Sequence, residues 1–270
     1  MKAFSARHYS LPGILLAAWL AGAALPVAAQ APAGRAEVYA VLGAGKGAQF
    51  SLPQVRLADE AVSQRINRAI ARAVVRQAKA TIDTTATLPK QLREVAADDC
   101  CLAGARFQVL LNQGNLFSVK LTLELRGTPS YERPRYLVFD LGTGQRLVLP
   151  ALVADSPDLL AHRLEAAVSR RMGEFLADSA VRSHPDRAAL AQKLHWNPTT
   201  HQVNFAAGAS AVSLQEFALT PHALLLLYPA DQQSATLADI PEETYRFPYA
   251  RLQARGRLAE LVQKSGPEAR

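Results

Sequence analysis

The sequence predicts an α+β domain with a largely antiparallel sheet and three to four helices packed on it. Strand-like segments follow one another with only turns between them, and separate amphipathic helical stretches interrupt the series. The clearest segment is Phe117–Arg126, in which apolar and polar side chains alternate without a break. A period of two over this length is typical of an antiparallel strand with one face toward a core and the other toward water.

Two turns bound the central strands. Asn112–Asn115 predicts a hairpin turn before the alternating strand, and Gly142–Gly144 predicts a reversal after a strand at Tyr136–Leu141. Asp140 is expected to accept hydrogen bonds from the amides of the second turn, and Leu147–Leu149 to return as a strand. The remaining strand predictions are Glu37–Leu42, Gln49–Leu57, Arg106–Asn112, His201–Phe205, Leu214–Tyr228 and Phe247–Leu252.

Two long helices are predicted from capping residues and apolar spacing. Asp59 can cap a helix that runs to about Ala78, and Ser156-Pro157-Asp158 combines an N-cap, a first-position proline and an early acid. Shorter helices are predicted over Asp186–Leu194 and Arg251–Gln263. The predicted core positions of the long helices are Val62, Ile66, Ala69, Ile70, Ala73, Leu160, Leu164, Val168, Met172 and Phe175.

The first long helix carries a row of cations on one face. The row consists of Arg65, Arg68, Arg72, Arg76 and Lys79. Such a face is suited to anionic lipid or polysaccharide, but it is also typical of the solvated side of an amphipathic helix. Aromatic side chains that would stack on bases are missing from this helix, so a nucleic acid is not expected as a partner.

The N-terminus is expected to be a signal peptide over residues 1–29. Lys2 and Arg7 precede the apolar run Ile14–Leu25, and Val27-Ala28-Ala29 supplies small residues at a cleavage site before Gln30. The protein is then exported to the periplasm or beyond, without a transmembrane segment after signal removal. The predicted organisation is a lead-in over residues 30–36, a domain over 37–263 divided near 150, and a disordered tail over 264–270.

Cys100 and Cys101 are the only cysteines of the chain, and they are adjacent. Neighbouring Cα atoms lie about 3.8 Å apart, which is below the usual span of a disulfide. The pair could be two free thiols, a strained vicinal disulfide or a bridge to another chain. A metal role is not expected, because no further cysteine or nearby histidine completes a set of four ligands.

The chain lacks the recognised catalytic motifs. Gly208–Val212 resembles a nucleophile turn but has no closing glycine, and no carboxylate stands between His195 and His201. No cofactor or metal is expected. The 30 basic and 23 acidic residues give a net charge of +7, which is compatible with weak attraction to an anionic envelope but does not demonstrate it.

The sequence resembles the DUF3298/DUF4163 group of bacterial secreted domains. The resemblance rests on Pro53-Gln54-Val55, Ile66-Asn67 and the strands up to Asp140, and then on the segment from Phe217 to Tyr249. The group includes the extracellular domain of a lysozyme-sensing anti-sigma factor and the non-catalytic domain of a peptidoglycan deacetylase. It implies a domain that stands beside a catalytic or signalling module. In many relatives the loop before Tyr136 contains a histidine. The corresponding segment here, Gly127–Pro134, contains none, so a binding role of that histidine in relatives does not carry over to this chain.

Binding without catalysis is therefore the predicted function, with an envelope or extracellular protein or a cell-wall glycan as the partner. Tyr131, Glu132 and Arg133 are the candidate contact residues, because prolines at 129 and 134 are expected to stiffen a polar, aromatic loop. One alternative is a cell-wall hydrolase or deacetylase-like enzyme whose site is assembled from distant residues. The other is a basic module that uses Arg65, Arg68, Arg72 and Arg76 to bind anionic lipid or polysaccharide.

Overall fold

The computed structural model describes residues 34–45, 48–78, 102–126, 131–182, 187–205, 214–228 and 243–264. The strands in these ranges are β1 (Glu37–Gly45), β2 (Ala48–Arg56), β3 (Leu102–Gln113), β4 (Leu116–Leu125), β5 (Tyr131–Asp140), β6 (Trp196–Asn197), β7 (Gln202–Val203), β8 (Phe217–Leu219), β9 (Ala223–Leu227) and β10 (Thr244–Pro248). The helices are α1 (Glu60–Ala78), α2 (Pro157–Ala177), α3 (Ser179–Arg182), α4 (Arg187–Lys193) and α5 (Gly256–Lys264), with 3₁₀ turns at Leu149–Ala151 and Tyr249–Arg251.

The first sheet has the strand order β1-β2-β3-β4-β5. All its neighbours pair antiparallel except β2 and β3, which run parallel over a short stretch. A second sheet has the order β10-β9-β8, and β6 and β7 form a small hairpin of their own. The predicted α+β class with a largely antiparallel sheet is confirmed.

Helix α1 covers one face of the first sheet, which we call the inner face. Asp59 accepts hydrogen bonds from the amides of Ala61 at 2.9 Å and Val62 at 3.1 Å, as its capping role predicts. Ile66, Ile70 and Val74 are fully buried against the apolar side chains of β4. This face is a closed apolar core with the helix as its lid.

The opposite, outer face of the first sheet meets the second sheet. Ala218, Leu225 and Leu227 pack against Leu110 and Tyr136 of the first sheet. The other side of the second sheet joins a separate apolar cluster with α2. The α2 members of that cluster are the predicted residues Leu160, Leu164, Val168 and Met172, whereas Phe175 is only partly buried.

Both predicted turns are present. Gly114 and Asn115 have φ values of 61° and 59°, which gives the tight β3–β4 hairpin. Asp140 accepts hydrogen bonds from the amides of Gly142 at 2.6 Å and Thr143 at 3.1 Å, and its carboxylate also receives Arg257 at 3.1 Å. The turn is therefore tied to α5 at the end of the chain.

Four secondary-structure predictions are wrong in detail. The strand predicted at Phe247–Leu252 ends at Pro248, and the chain continues as a 3₁₀ turn over Tyr249–Arg251. Leu147–Leu149 is not a strand, because a single bridge from Arg146 to Phe139 leads directly into a 3₁₀ turn containing Pro150. The strand at His201–Phe205 is reduced to β7, which starts after His201 at a φ of 54°. Helix α5 begins at Gly256, since Ala254 is still extended in a bridge with Val153.

Several predictions concern residues outside the described ranges. They include the signal peptide, the loop Thr81–Asp99, Cys100 and Cys101, and the tail beyond residue 264. Within the described residues, none of the helices combines the length and the hydropathy that crossing a membrane requires.

Candidate functional site

The outer face of β4 is where the structure departs most from the sequence prediction. Ser118 is fully buried and Thr122 is 8% exposed, although both belong to the polar series that was predicted to face water. The Ser118 hydroxyl accepts a hydrogen bond from the amide of Leu219 at 3.0 Å. The polar face of the strand is thus partly covered, because the second sheet docks on it through side chain to backbone bonds.

A cleft of about 440 Å³ opens beside this contact. We call it the outer cleft; its floor is formed by the buried Thr122 and Tyr136. The full lining is Gln108, Leu110, Lys120, Thr122, Glu132, Pro134, Tyr136, Leu225, Glu243 and Thr244. The volume falls within the range of small-molecule sites, and the lining offers both hydrogen-bond donors and acceptors.

The three strands of the first sheet bring these side chains together by register. Gln108 and Tyr136 both stand opposite Lys120, so the three residues form one row across β3, β4 and β5. Because opposed residues in an antiparallel pair share a face, this row lies on the outer face. The next row along the sheet is Arg106, Thr122 and Pro134.

An ion-pair network forms the rim of the outer cleft. The guanidinium of Arg106 contacts Glu132 through two bonds of 2.8 and 2.6 Å and Glu124 at 3.1 Å. The hydrogen bond from Arg106 holds the pKa of Glu132 below its ordinary value, and the charge of Lys120 lowers it further. Glu132 is therefore ionised near neutral pH and serves as a fixed acceptor.

The other wall is held to the first sheet by polar contacts. The Tyr136 hydroxyl lies 2.9 Å from the Thr244 hydroxyl. Glu216, which precedes β8, receives the amide of Tyr136 at 3.1 Å and the guanidinium of Arg135 at 3.1 Å. These bonds fix the distance between the two sheets, and so they fix the width of the cleft.

The prediction that Tyr131, Glu132 and Arg133 form a stiff loop is wrong. All three residues lie in β5, where they pair with Leu125, Glu124 and Leu123. Tyr131 packs against the inner apolar cluster, and Arg133 is exposed. Only Glu132 reaches the outer cleft, because alternate residues of a strand point to opposite faces.

The predicted basic face of α1 is exposed at Arg65, Arg68 and Arg72. Arg65 donates to the carbonyl of Thr143, and Arg68 donates to the side chain of Gln64 at 3.0 Å. The helix backbone continues through Arg76, whose side chain lies outside the described part. The face belongs to the opposite side of the sheet from the outer cleft.

His195 and His201 are not among the residues that line the outer cleft. Trp196 lies between His195 and His201 in the chain, and its ring packs edge-on against His201 with centroids 6.3 Å apart. In the ranges that the structure describes, no three residues among His, Cys, Asp and Glu are grouped closely enough to hold a metal ion. Cys100 and Cys101 lie outside those ranges.

A second cavity, of about 400 Å³, is apolar. Leu149, Val153, Leu160 and Phe217 contribute to its walls. Asp155 also borders it, but its carboxylate already accepts hydrogen bonds from the guanidinium of Arg163 at 2.9 Å and from the amide of Gln253 at 2.7 Å. This cavity offers few groups that could orient a polar ligand, so the outer cleft is the better candidate site.

The comparisons with known proteins concern the fold. No protein-family model matches the chain, and no curated protein is similar to it at a significant level. The structure is similar to that of a DUF3298 family protein from Pseudomonas aeruginosa PAO1, with a TM-score of 0.47 and 15% identity over 83% of this chain and 94% of the other. It is also similar to a DUF3298 family member from Bacteroides fragilis NCTC 9343, with a TM-score of 0.47 and 12% identity over 84% of this chain and 96% of the other. Both structures carry the name of the family that the sequence motifs resemble.

Proposed function

We propose that the protein is an exported, non-enzymatic binding domain that holds a segment of cell-wall glycan in the outer cleft. The observation that carries the proposal is the row Gln108, Lys120 and Tyr136, which lines a cleft large enough for a short oligosaccharide. Sugar hydroxyls and acetamido groups both donate and accept hydrogen bonds. The amide of Gln108, the ammonium of Lys120 and the carboxylate of Glu132 match those needs.

The charge state of Glu132 suits ligand binding better than proton transfer. A general acid for glycoside cleavage needs a raised pKa, so that it carries a proton near neutral pH. Glu132 has a lowered pKa, because its carboxylate is already held by Arg106. A carboxylate in this state can accept a hydrogen bond from a sugar hydroxyl, but it is poorly suited to protonate a leaving group.

The test is calorimetric titration of the purified protein with soluble peptidoglycan oligosaccharides. We expect binding that is weakened about two- to twelvefold by Gln108→Ala or by Lys120→Met, since one hydrogen bond contributes roughly 0.5–1.5 kcal/mol. Lys120→Met retains the aliphatic stem and removes only the ammonium. Arg68→Gln, on the far side of the sheet, is the matched control and should leave the affinity unchanged.

Three outcomes argue against the proposal. Equal affinity in the cleft variants and the wild type would place the ligand elsewhere. Release of reducing ends or acetate above that of a heat-inactivated sample would favour the enzymatic alternative. Capture of an envelope or extracellular protein in place of glycan, abolished by the same two variants, would assign the cleft to a protein partner.

A further inference from the structure

The two edges of the first sheet are in different states. On the edge of β5 that faces away from β4, the amide of Leu147 donates to the carbonyl of Val138 at 2.8 Å. The amide of Asp140 donates to the carbonyl of Gln145 at 3.0 Å on the same edge. Glu216 takes the amide of Tyr136 on the same edge. The backbone groups at this edge are therefore occupied over Tyr136–Asp140, which blocks further strand pairing along that half of β5.

The edge formed by β1 is open within the described residues. This strand has nine residues and pairs only with β2, so it ends the sheet. Ala40 is exposed, and the side chain of Leu42 is 76% exposed, more than any other large apolar side chain described. Prolines and lysines, which commonly protect an edge strand from pairing, are missing from the sequence of β1.

The hydrogen-bonding direction along β1 follows from the position of Pro53. Pro53 stands opposite Ala40, and it has no N–H, so these two residues form a pair without mutual hydrogen bonds. Because bonded and non-bonded pairs alternate, Tyr39 and Val41 bond to β2. The amides and carbonyls of Ala40 and Leu42 then point toward the free edge.

We propose that the free edge of β1 pairs antiparallel with the same edge of a second copy of this chain. Two five-stranded sheets then become one continuous sheet about a two-fold axis at Val41. This register places Leu42 opposite Ala40 and Tyr39 opposite Gly43, so each large residue faces a small one. The occupant is a second copy because, about a central pair of Val41 residues, the large Tyr39 and Leu42 of one strand face the small Gly43 and Ala40 of the other, which makes the strand complementary to itself in reverse.

The first test is sedimentation of the purified protein over a range of concentrations. We expect a monomer–dimer equilibrium whose dissociation constant rises at least tenfold in Leu42→Lys and in Ala40→Pro, which remove an apolar contact and an edge donor respectively. Val148→Lys is the control, since Val148 is 63% exposed but lies far along the chain from β1. A wild-type protein that stays monomeric at every concentration, or equal dissociation constants in all variants, would overturn the proposal.

The second test fixes the register. In a background with Cys100 and Cys101 changed to serine, Val41→Cys should form a disulfide-linked dimer under mild oxidation. The residues at position 41 of the two chains face each other as a pair without mutual backbone hydrogen bonds, in which the Cα atoms lie about 4.5 Å apart. Ala40→Cys should crosslink much more slowly. The reverse order of rates, or binding of an added peptide in place of dimerisation, would refute the pairing proposed here.

Discussion

The two faces of the first sheet differ in the polarity of their side chains. The inner face consists of the apolar half of β4 and is sealed by Ile66, Ile70 and Val74 of α1. The outer face carries the polar half, and the second sheet covers it only in part through Ser118 and Tyr136. The inner face stabilises the fold mainly by apolar burial, whereas the outer face relies on individual hydrogen bonds that also shape a cleft.

The largest effect is expected from a cavity on the inner face. Ile70→Ala removes a side chain that is 0% exposed, and we expect it to lower the free energy of unfolding by about 2–5 kcal/mol. Leu225→Ala on the outer side should cost less, because Leu225 is only partly buried. Chemical denaturation of both variants gives the comparison. Equal losses would show that the outer layer is as tightly packed as the inner core.

A smaller effect is expected at the docking contact of the second sheet. Ser118→Ala leaves the amide of Leu219 buried without its acceptor, which typically costs about 1–3 kcal/mol. Thr143→Ala is the matched control, because its hydroxyl accepts the amide of Gln145 at 3.3 Å in an exposed turn. The control should change stability by less than about 0.5 kcal/mol. If both variants are equally stable, Ser118 does not hold the two sheets together.

Two buried tyrosines in the outer layer should respond differently to loss of the hydroxyl. Tyr249 donates to the carbonyl of Thr220 at 2.6 Å, so Tyr249→Phe should cost about 1 kcal/mol. The buried hydroxyl of Tyr245 makes no hydrogen bond of normal geometry among the described residues, and the nearby Arg171 guanidinium lies over the face of its ring, 4.1 Å from the centroid. Tyr245→Phe keeps the ring under Arg171, so it should cost less than Tyr249→Phe. Thermal unfolding distinguishes the two. A marked loss in Tyr245→Phe would reveal a partner for its hydroxyl.

Alkaline pH tests the same two residues. Burial raises the pKa of Tyr245 to about 12, and it also raises the pKa of Tyr249. The neutral phenols are favoured in the folded state, so their contribution is complete below pH 10 or thereabouts, the ordinary tyrosine pKa, and is lost as the pH rises toward 12. Tyr245→Phe should flatten this part of the curve of melting temperature against pH. An unchanged slope would assign the alkaline loss to other groups.

The smallest effect is expected at the rim of the cleft. The pKa of Glu132 is lowered, so its ion pair with Arg106 stabilises the folded state above the ordinary glutamate pKa and is lost as the pH falls through the lowered value. Both side chains are about half exposed, and solvent screening limits the contribution to less than about 1 kcal/mol. Glu132→Gln should therefore barely change the melting temperature at pH 7. A loss of several degrees would mean that the rim is part of the structural core.

Much of the fold could be predicted because local patterns determined it. The capped start of α1, the two glycine turns and the alternation of β4 each depend on residues close in sequence. The predictions failed where a residue contacts another that is distant in sequence. Ser118 was predicted to face water because nothing near it in sequence shows that Leu219 will supply a donor.

The candidate site could be predicted only in part. Glu132 was named, but in a loop with Tyr131 and Arg133, whereas strand geometry separates it from both neighbours. Gln108 and Lys120 were missed, because their meeting depends on the register between β3 and β4. The sequence offered one clue, the polar series of β4. A polar strand face is compatible with a ligand-binding surface as well as with a solvated one.

The attachment of α5 determines when the fold can be completed, because this helix lies near the C-terminal end of the chain. Arg257 holds the turn at Asp140, and Leu258 and Leu261 fill the apolar cluster beside Leu116. Because α5 is the last helix in the described part of the chain, β5 is not secured until the chain through residue 264 has been made and delivered to the place where it folds. Until then the chain has an incomplete core. A message truncated before α5 should yield a product with exposed apolar surface and a strong tendency to aggregate.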